Sequence, residues 1–342
     1  MPRPSRAKPT LALESLESRQ ALAGDVMAVM YGQMLVIWGD AAANGVVLSY
    51  SSNLQTYEVA GHDAGGAPTT INSQAASASF SNVQSVAVLL NGGDDAFSVG
   101  SPAAVDTAIR QWLSIDMGDG NDTVQLGRGG NAPGGNAPIA MHLRTGTSVN
   151  IDLGAGDDHL ELANAEIGLA LNVAAGDGND DVIFATEFTP EGSSDAQLFP
   201  VVIRGNTGIS LGGGEDELEI LNSVLQGHVR ILDGAGAAHI NLDNVSIAKN
   251  LDIDTATSDD QLKINFVNAR NVTIDSNGGI DDVDFTNCRF RSMILKLGAQ
   301  RDALLLRNVR VSFMTRLDGG DNGSRLAGSN NTLRGLTRRN IG

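Results

Sequence analysis

A glycine-aspartate turn, Gly-x-Gly-x-Asp or a close variant, returns along this chain at a near-constant interval, and that interval limits what the chain can fold into. Taking the last residue of each turn as its anchor, the anchors are Asp95, Asp122, Asp158, Asp180, Asp216, Ala238, Asp260, Asp281 and Asp302. Successive anchors lie 27, 36, 22, 36, 22, 22, 21 and 21 residues apart. The period is therefore 21–22 residues, and each interval of 36 is one period plus 14 extra residues. Such a period marks stacked repeats that bury a continuous core only against their neighbours. The two insertions, within 127–137 and 185–200, begin at one phase of the repeat, just after the anchor strand. That is expected of a coil corner that faces solvent.

The columns of the repeat agree. Two residues after the anchor stand Phe97, Val124, Leu160, Val182, Leu218, Ile240, Leu262, Val283 and Leu304. Four residues after it stand Val99, Leu126, Leu162, Phe184, Ile220, Leu242, Ile264, Phe285 and Leu306. This period-two alternation is one face of a strand. Six residues after the anchor stand Asn164, Asn222, Asn244, Asn287 and Asn308. Asparagine tolerates left-handed backbone, and stacked asparagines can hydrogen-bond along a corner.

Two further apolar triplets follow in each unit, so one unit holds three short strands and three turns. The expected fold is all-β: a right-handed parallel β-helix of about nine or ten coils. Its handedness follows from the general preference of parallel crossovers. Coils ~4.8 Å apart make a rod roughly 40 Å long. Apolar residues are 42% of the chain and aromatics only 4%, so the core must come from Val, Ile, Leu and Ala. The expected organisation is a disordered or targeting segment over 1–24, a β-rich cap or irregular coils over 25–90, the β-helix over 91–326, and a flexible basic tail over 327–342. Residues 26–38 form the longest apolar run, but Gly32 and Gln33 interrupt it; it reads as two strands, not a membrane span. Cys288 is the single cysteine, which excludes an intrachain disulfide.

The formal charge is −17 although both ends are basic. Such a body repels nucleic acid and anionic lipid and attracts cations. At the corners, paired glycines expose carbonyls and the acids supply hard oxygens, the donor set calcium takes. The candidate ligands are Asp119, Asp122, Asp157, Asp158, Asp177, Asp180, Glu215 and Asp216. The alternative is a plain tight turn in which the aspartate caps backbone amides.

The stretches from Gly118 to Val124, Gly154 to Leu160, Gly176 to Val182 and Gly212 to Leu218 resemble the calcium-binding nonapeptide of RTX toxins and proteases. That resemblance implies bound Ca2+. The family repeats its motif every nine residues, so that two turns face each other within a coil. Here one corner per coil carries it, and the paired site is not inherited.

Near the start, Leu13, Glu14, Leu16, Glu17, Arg19 and Leu22 resemble the LEPR-XLL segment of large bacterial surface proteins, with Ala21 in place of a leucine. That resemblance implies an exported or surface-associated protein.

The function expected is an extracellular or cell-surface structural or adhesive module, with calcium as its expected stabiliser. Its partners would be calcium ions and cell-envelope polysaccharide or protein, with no nucleic acid and no transmembrane segment. The other reading is a carbohydrate-active β-helix enzyme, a polysaccharide lyase or glycoside hydrolase. Its best basic candidates are Arg289 and Arg310, eight residues past their anchors on adjacent coils. The five histidines show no triad or zinc spacing, and no catalytic residue is assigned.

Overall fold

In the computed structural model the described residues are 24–51, 54–63, 68–74, 77–100, 106–127, 129–131, 138–140, 142–185, 187–188, 197–198 and 200–342. The LEPR-XLL-like segment and most of both insertions lie outside them.

The alternation read from the sequence becomes a sheet of thirteen strands. Its parallel members include Thr123–Leu126, His159–Leu162, Asp181–Phe184, Asp216–Leu221, Ala238–Asp243, Gln261–Asn265, Asp282–Thr286 and Ala303–Arg307. Register places like on like: Val124 faces Leu160, Leu160 faces Val182, Val182 faces Leu218, and Leu218 faces Ile240. All five are at most 1% exposed, so each coil adds one apolar layer that only the next coil can cover. Burying each such side chain is worth about 1.5–3 kcal/mol. The chain is a parallel β-helix.

The rest of each coil forms the second large sheet. In the middle coils it consists of a two- or three-residue strand, such as Val224–Leu225 or Ser246–Ile247, and a longer one, such as Val229–Leu232 or Asn250–Asp254. From residue 268 the two fuse into Asn268–Asp275, Arg289–Lys296 and Arg310–Asp318. The cause is one deleted residue. Ser246 pairs with Asn268 and Asn250 with Asn271, so the corner between them shortens and the repeat falls from 22 residues to 21.

The asparagine corner adopts the left-handed backbone expected of it. Asn164, Asn222, Asn244, Asn287 and Asn308 have φ between 48° and 57°. Asn244 donates to the Oδ1 of Asn222 at 2.6 Å, and Asn308 to that of Asn287 at 2.8 Å.

The stack extends beyond the nine anchors at both ends. Gly45–Ser51 pairs in parallel with Ala96–Val99, and antiparallel with Thr56–His62, which in turn pairs with Ala78–Ser81. Asp25–Tyr31 and Met34–Trp38 form a hairpin, and the latter joins Ser85–Leu89 in parallel. At the other end, 327–342 is not a free basic tail. Arg325–Ser329, Thr332–Leu333 and Leu336–Arg339 pair with the preceding coil as a further turn. Its polar sequence hid it, because its strands are mostly exposed. Among the described residues no helix is long and apolar enough to cross a membrane.

Candidate functional site

The glycine corner is built by close approach of successive backbones. A Cβ on Gly154 would lie 1.7 Å from the carbonyl oxygen of Gly118, and one on Gly176 would lie 1.7 Å from that of Gly154. Both residues have positive φ, 105° and 125°. Only glycine combines that backbone with that contact.

At this corner the anchor aspartates point into the stack. Asp122, Asp158, Asp180 and Asp216 are 1–2% exposed. Each Oδ1 accepts the backbone N–H of the anchor one coil earlier: Asp95 N to Asp122 at 2.7 Å, Asp122 N to Asp158 at 2.7 Å, Asp158 N to Asp180 at 2.9 Å, and Asp180 N to Asp216 at 2.9 Å. The ladder resumes from Ala238 N to Asp260 and runs through Asp281 to Asp302. Ser324 ends it, its hydroxyl donating to Asp302 Oδ2 at 2.8 Å. Asn44 begins it, donating its amide to Asp95 Oδ1 at 2.6 Å. The sequence reading missed both ends, because neither Asn44 nor Ser324 is an aspartate.

The residue before each anchor faces solvent and forms a second ladder of opposite polarity. Here the side chain of one coil accepts from the coil after it. Asn121 N donates to Asp94 at 3.0 Å, Asp157 N to Asn121 at 2.9 Å, Asn179 N to Asp157 at 2.8 Å, and Glu215 N to Asn179 at 2.8 Å. Two polar ladders, one buried and one exposed, thus seal the corner from its two sides.

This geometry decides how the eight candidate calcium ligands are used. Asp122, Asp158, Asp180 and Asp216 are interior. Asp119, Asp157, Asp177 and Glu215 are exposed. The corner carbonyls that would complete a calcium shell are already hydrogen-bonded. Asp119 O accepts from Gly93 N, Ala155 O from Gly120 N, Asp177 O from Gly156 N, and Gly213 O from Gly178 N, at 2.7–2.8 Å. Among the described residues no three His, Cys, Asp or Glu side chains are grouped to hold a metal ion. The amide-capping alternative thus accounts for the inner aspartates Asp122, Asp158, Asp180 and Asp216.

Burial has an electrostatic consequence. The Oδ2 atoms of Asp95, Asp122, Asp158, Asp180, Asp216, Asp260 and Asp281 are enclosed without a hydrogen-bond partner. Loss of solvation pushes Asp95, Asp158 and Asp281 up to about 7, and Asp122 and Asp180 to about 6. Hydrogen bonds from the preceding coil oppose the shift, and neighbouring carboxylates add to it. Asp95, Asp122, Asp158, Asp180 and Asp281 thus bind protons more readily than free aspartates do.

The one gap in the acid column is informative. Ala238 has no acceptor, so the Asp216 amide turns to the Ala237 carbonyl at 3.0 Å. In the same coil Asp233 occupies a column held by Leu211 on one side and Thr255 on the other. Burial, with Asp260 and Asp216 nearby, raises its carboxyl to about 6. The coil whose anchor lacks a carboxyl thus carries one at Asp233, whose Oδ2 accepts from Ala256 N at 3.4 Å.

Outside this corner, Arg289 and Arg310 are register partners, as their spacing predicted. His159 and His239 share a column with Asp181 and Glu217 between them. His159 Nδ1 lies 2.9 Å from Asp181 Oδ2. Cys288 is buried, and burial pushes its thiol up to about 12. The sequence reading passed over a second basic column, Lys249, Arg270 and Arg291, which begins at the corner before Asn250 and continues within the fused strands. Its signal was present as a spacing of 21 residues.

No family model, curated protein or solved structure matches this chain.

Proposed function

We propose that the chain is a rigid structural or adhesive module displayed outside the cell. The observation that carries this reading is the corner itself. Its most repeated chemical groups, the anchor aspartates, each commit one carboxylate oxygen to a backbone amide of a neighbouring coil. Chemistry of that kind fixes a rod and its surface columns. The LEPR-XLL-like residues Leu13 to Leu22 support an exported location, and the charge of −17 favours a soluble, self-repelling surface.

The partner class is cell-envelope polysaccharide or protein, met by a column that runs along several coils. Membrane-impermeant biotinylation of intact cells tests the location. Labelling before lysis supports the reading, and labelling only after lysis overturns it. Small-angle scattering of the purified chain tests the rigid rod, which must give the cross-section of a single β-helical stack.

A further inference from the structure

We propose that Lys249, Arg270 and Arg291, with Phe313, form a strip that binds a linear acidic polysaccharide. This deepens the adhesive reading above and rests on it. The three cations occupy one column on three consecutive coils, Lys249 at a corner and Arg270 and Arg291 within the fused strands that replace it. The adjacent column fixes their register, since Asn250 pairs with Asn271 and Asn271 with Ser292. Neighbouring coils repeat every ~4.8 Å, about the length of one pyranose unit in an extended chain. A polymer with one anion per sugar therefore meets one cation per coil.

Three observations point to a ligand. First, Lys249, Arg270 and Arg291 are exposed, and among the described residues none of them is in an ion pair, whereas Arg144, Arg204, Lys296, Arg307 and Arg339 all have acidic partners. A stack of unpaired cations on a chain of charge −17 is a local reversal of field. Arg289 and Arg310, both exposed, widen the same basic surface.

Second, a groove along this column has an aromatic end. The strand Arg310–Asp318 carries a bulge opposite Phe290 and Ser292, which leaves Phe313 63% exposed. The Arg291 guanidinium lies 5.4 Å from the Phe313 ring centroid. An outward ring beside an arginine offers a stacking face for the C–H side of a sugar and a charge for its acid group.

Third, the groove wall is an amide ladder. Asn271 Nδ2 donates to Asn250 Oδ1 at 2.9 Å. The Asn250 amide hydrogens and the Asn271 carbonyl oxygen are left for sugar hydroxyls. Amides at coil spacing suit a hydroxyl-rich polymer better than a phosphate backbone.

The full chain is titrated at low salt with polygalacturonate, dextran sulfate, neutral dextran and single-stranded DNA, with binding read by calorimetry. Polygalacturonate or dextran sulfate is expected to bind and to weaken as salt rises, and neutral dextran to bind neither at low nor at high salt. Preference between the two polymers identifies the anion as carboxylate or sulfate. The double variant Arg270→Gln/Arg291→Gln is expected to lose at least tenfold in affinity. Phe313→Ala is expected to weaken binding with the charge unchanged, and Arg204→Gln to leave it unaltered. Thermal melting confirms that each variant folds; if the double variant does not, Lys249→Gln and Phe313→Ala carry the test. Absence of binding to both acidic polymers overturns the proposal, as does DNA binding of equal strength or full affinity in the folded variants. These results stand apart from the location test, since a chain confined within cells can still be titrated and a displayed chain can still fail to bind.

Discussion

The backbone amide of Asp122 donates to the Oδ1 of Asp158, 36 residues later, at 2.7 Å. The next residue back runs the other way: the amide of Asp157 donates to Asn121 Oδ1 at 2.9 Å. The same two coils are thus tied twice, by the Asp158 side chain from inside and by the Asn121 side chain of the other coil from outside.

The two ladders are unequal in energy. Asp158→Ala strands the buried Asp122 amide and leaves a void, and is expected to cost about 1–3 kcal/mol. Asp157→Ala exposes its amide partner to water and is expected to cost under about 0.5 kcal/mol. Denaturant melts of the two variants decide this. Equal losses would remove the distinction between inner and outer columns.

Stability is expected to rise on mild acidification. A free aspartate ionises near 3.8, whereas Asp95, Asp158 and Asp281 do so at about 7 in the fold. Between those values the folded chain keeps protons that the unfolded chain releases, so stability falls as pH rises from 4 to 8. The melting temperature should be higher at pH 5 than at pH 8. Replacing Asp95, Asp158 and Asp281 together by Asn keeps the acceptors and should flatten that slope. A melting temperature that climbs with pH would reject the account.

Ala238 and Asp233 are expected to be coupled. Ala238→Asp adds a carboxyl beside Asp233, Asp216 and Asp260, and should destabilise at neutral pH by about 1–3 kcal/mol. Adding Asp233→Leu restores the pattern of the Asp216 coil and should recover most of the loss. Additive effects in the double-mutant cycle would mean that the two positions act independently.

Calcium is expected to leave the melting temperature unchanged between chelator and millimolar Ca2+, because the corner carbonyls are already hydrogen-bonded and the inner carboxylates are enclosed. A rise of several degrees would return calcium to the exposed Asp119, Asp157, Asp177 and Glu215.

Much of the architecture was legible in advance. The anchor spacing gave the coil, the alternation from Phe97 to Leu306 gave the buried face, and Asn164, Asn222, Asn244, Asn287 and Asn308 marked the left-handed corner. Each is a local signal, carried by backbone preference or by burial within a single repeat. The use of the corner acids was not legible, because Asp157 and Asp158 are the same residue type side by side.

The sequence by itself determined the period, the strand faces and the stacking of like on like, since a 21–22-residue repeat of short apolar strands has no other way to bury its layers. Only the tertiary structure decided which aspartate turns inward, that Asp233 lies near Asp216 and Asp260, and that Lys249, Arg270 and Arg291 share a groove with Phe313. Those facts depend on partners a full coil away, and a hydrogen bond or a shared charge between coils exists only once the coils are stacked.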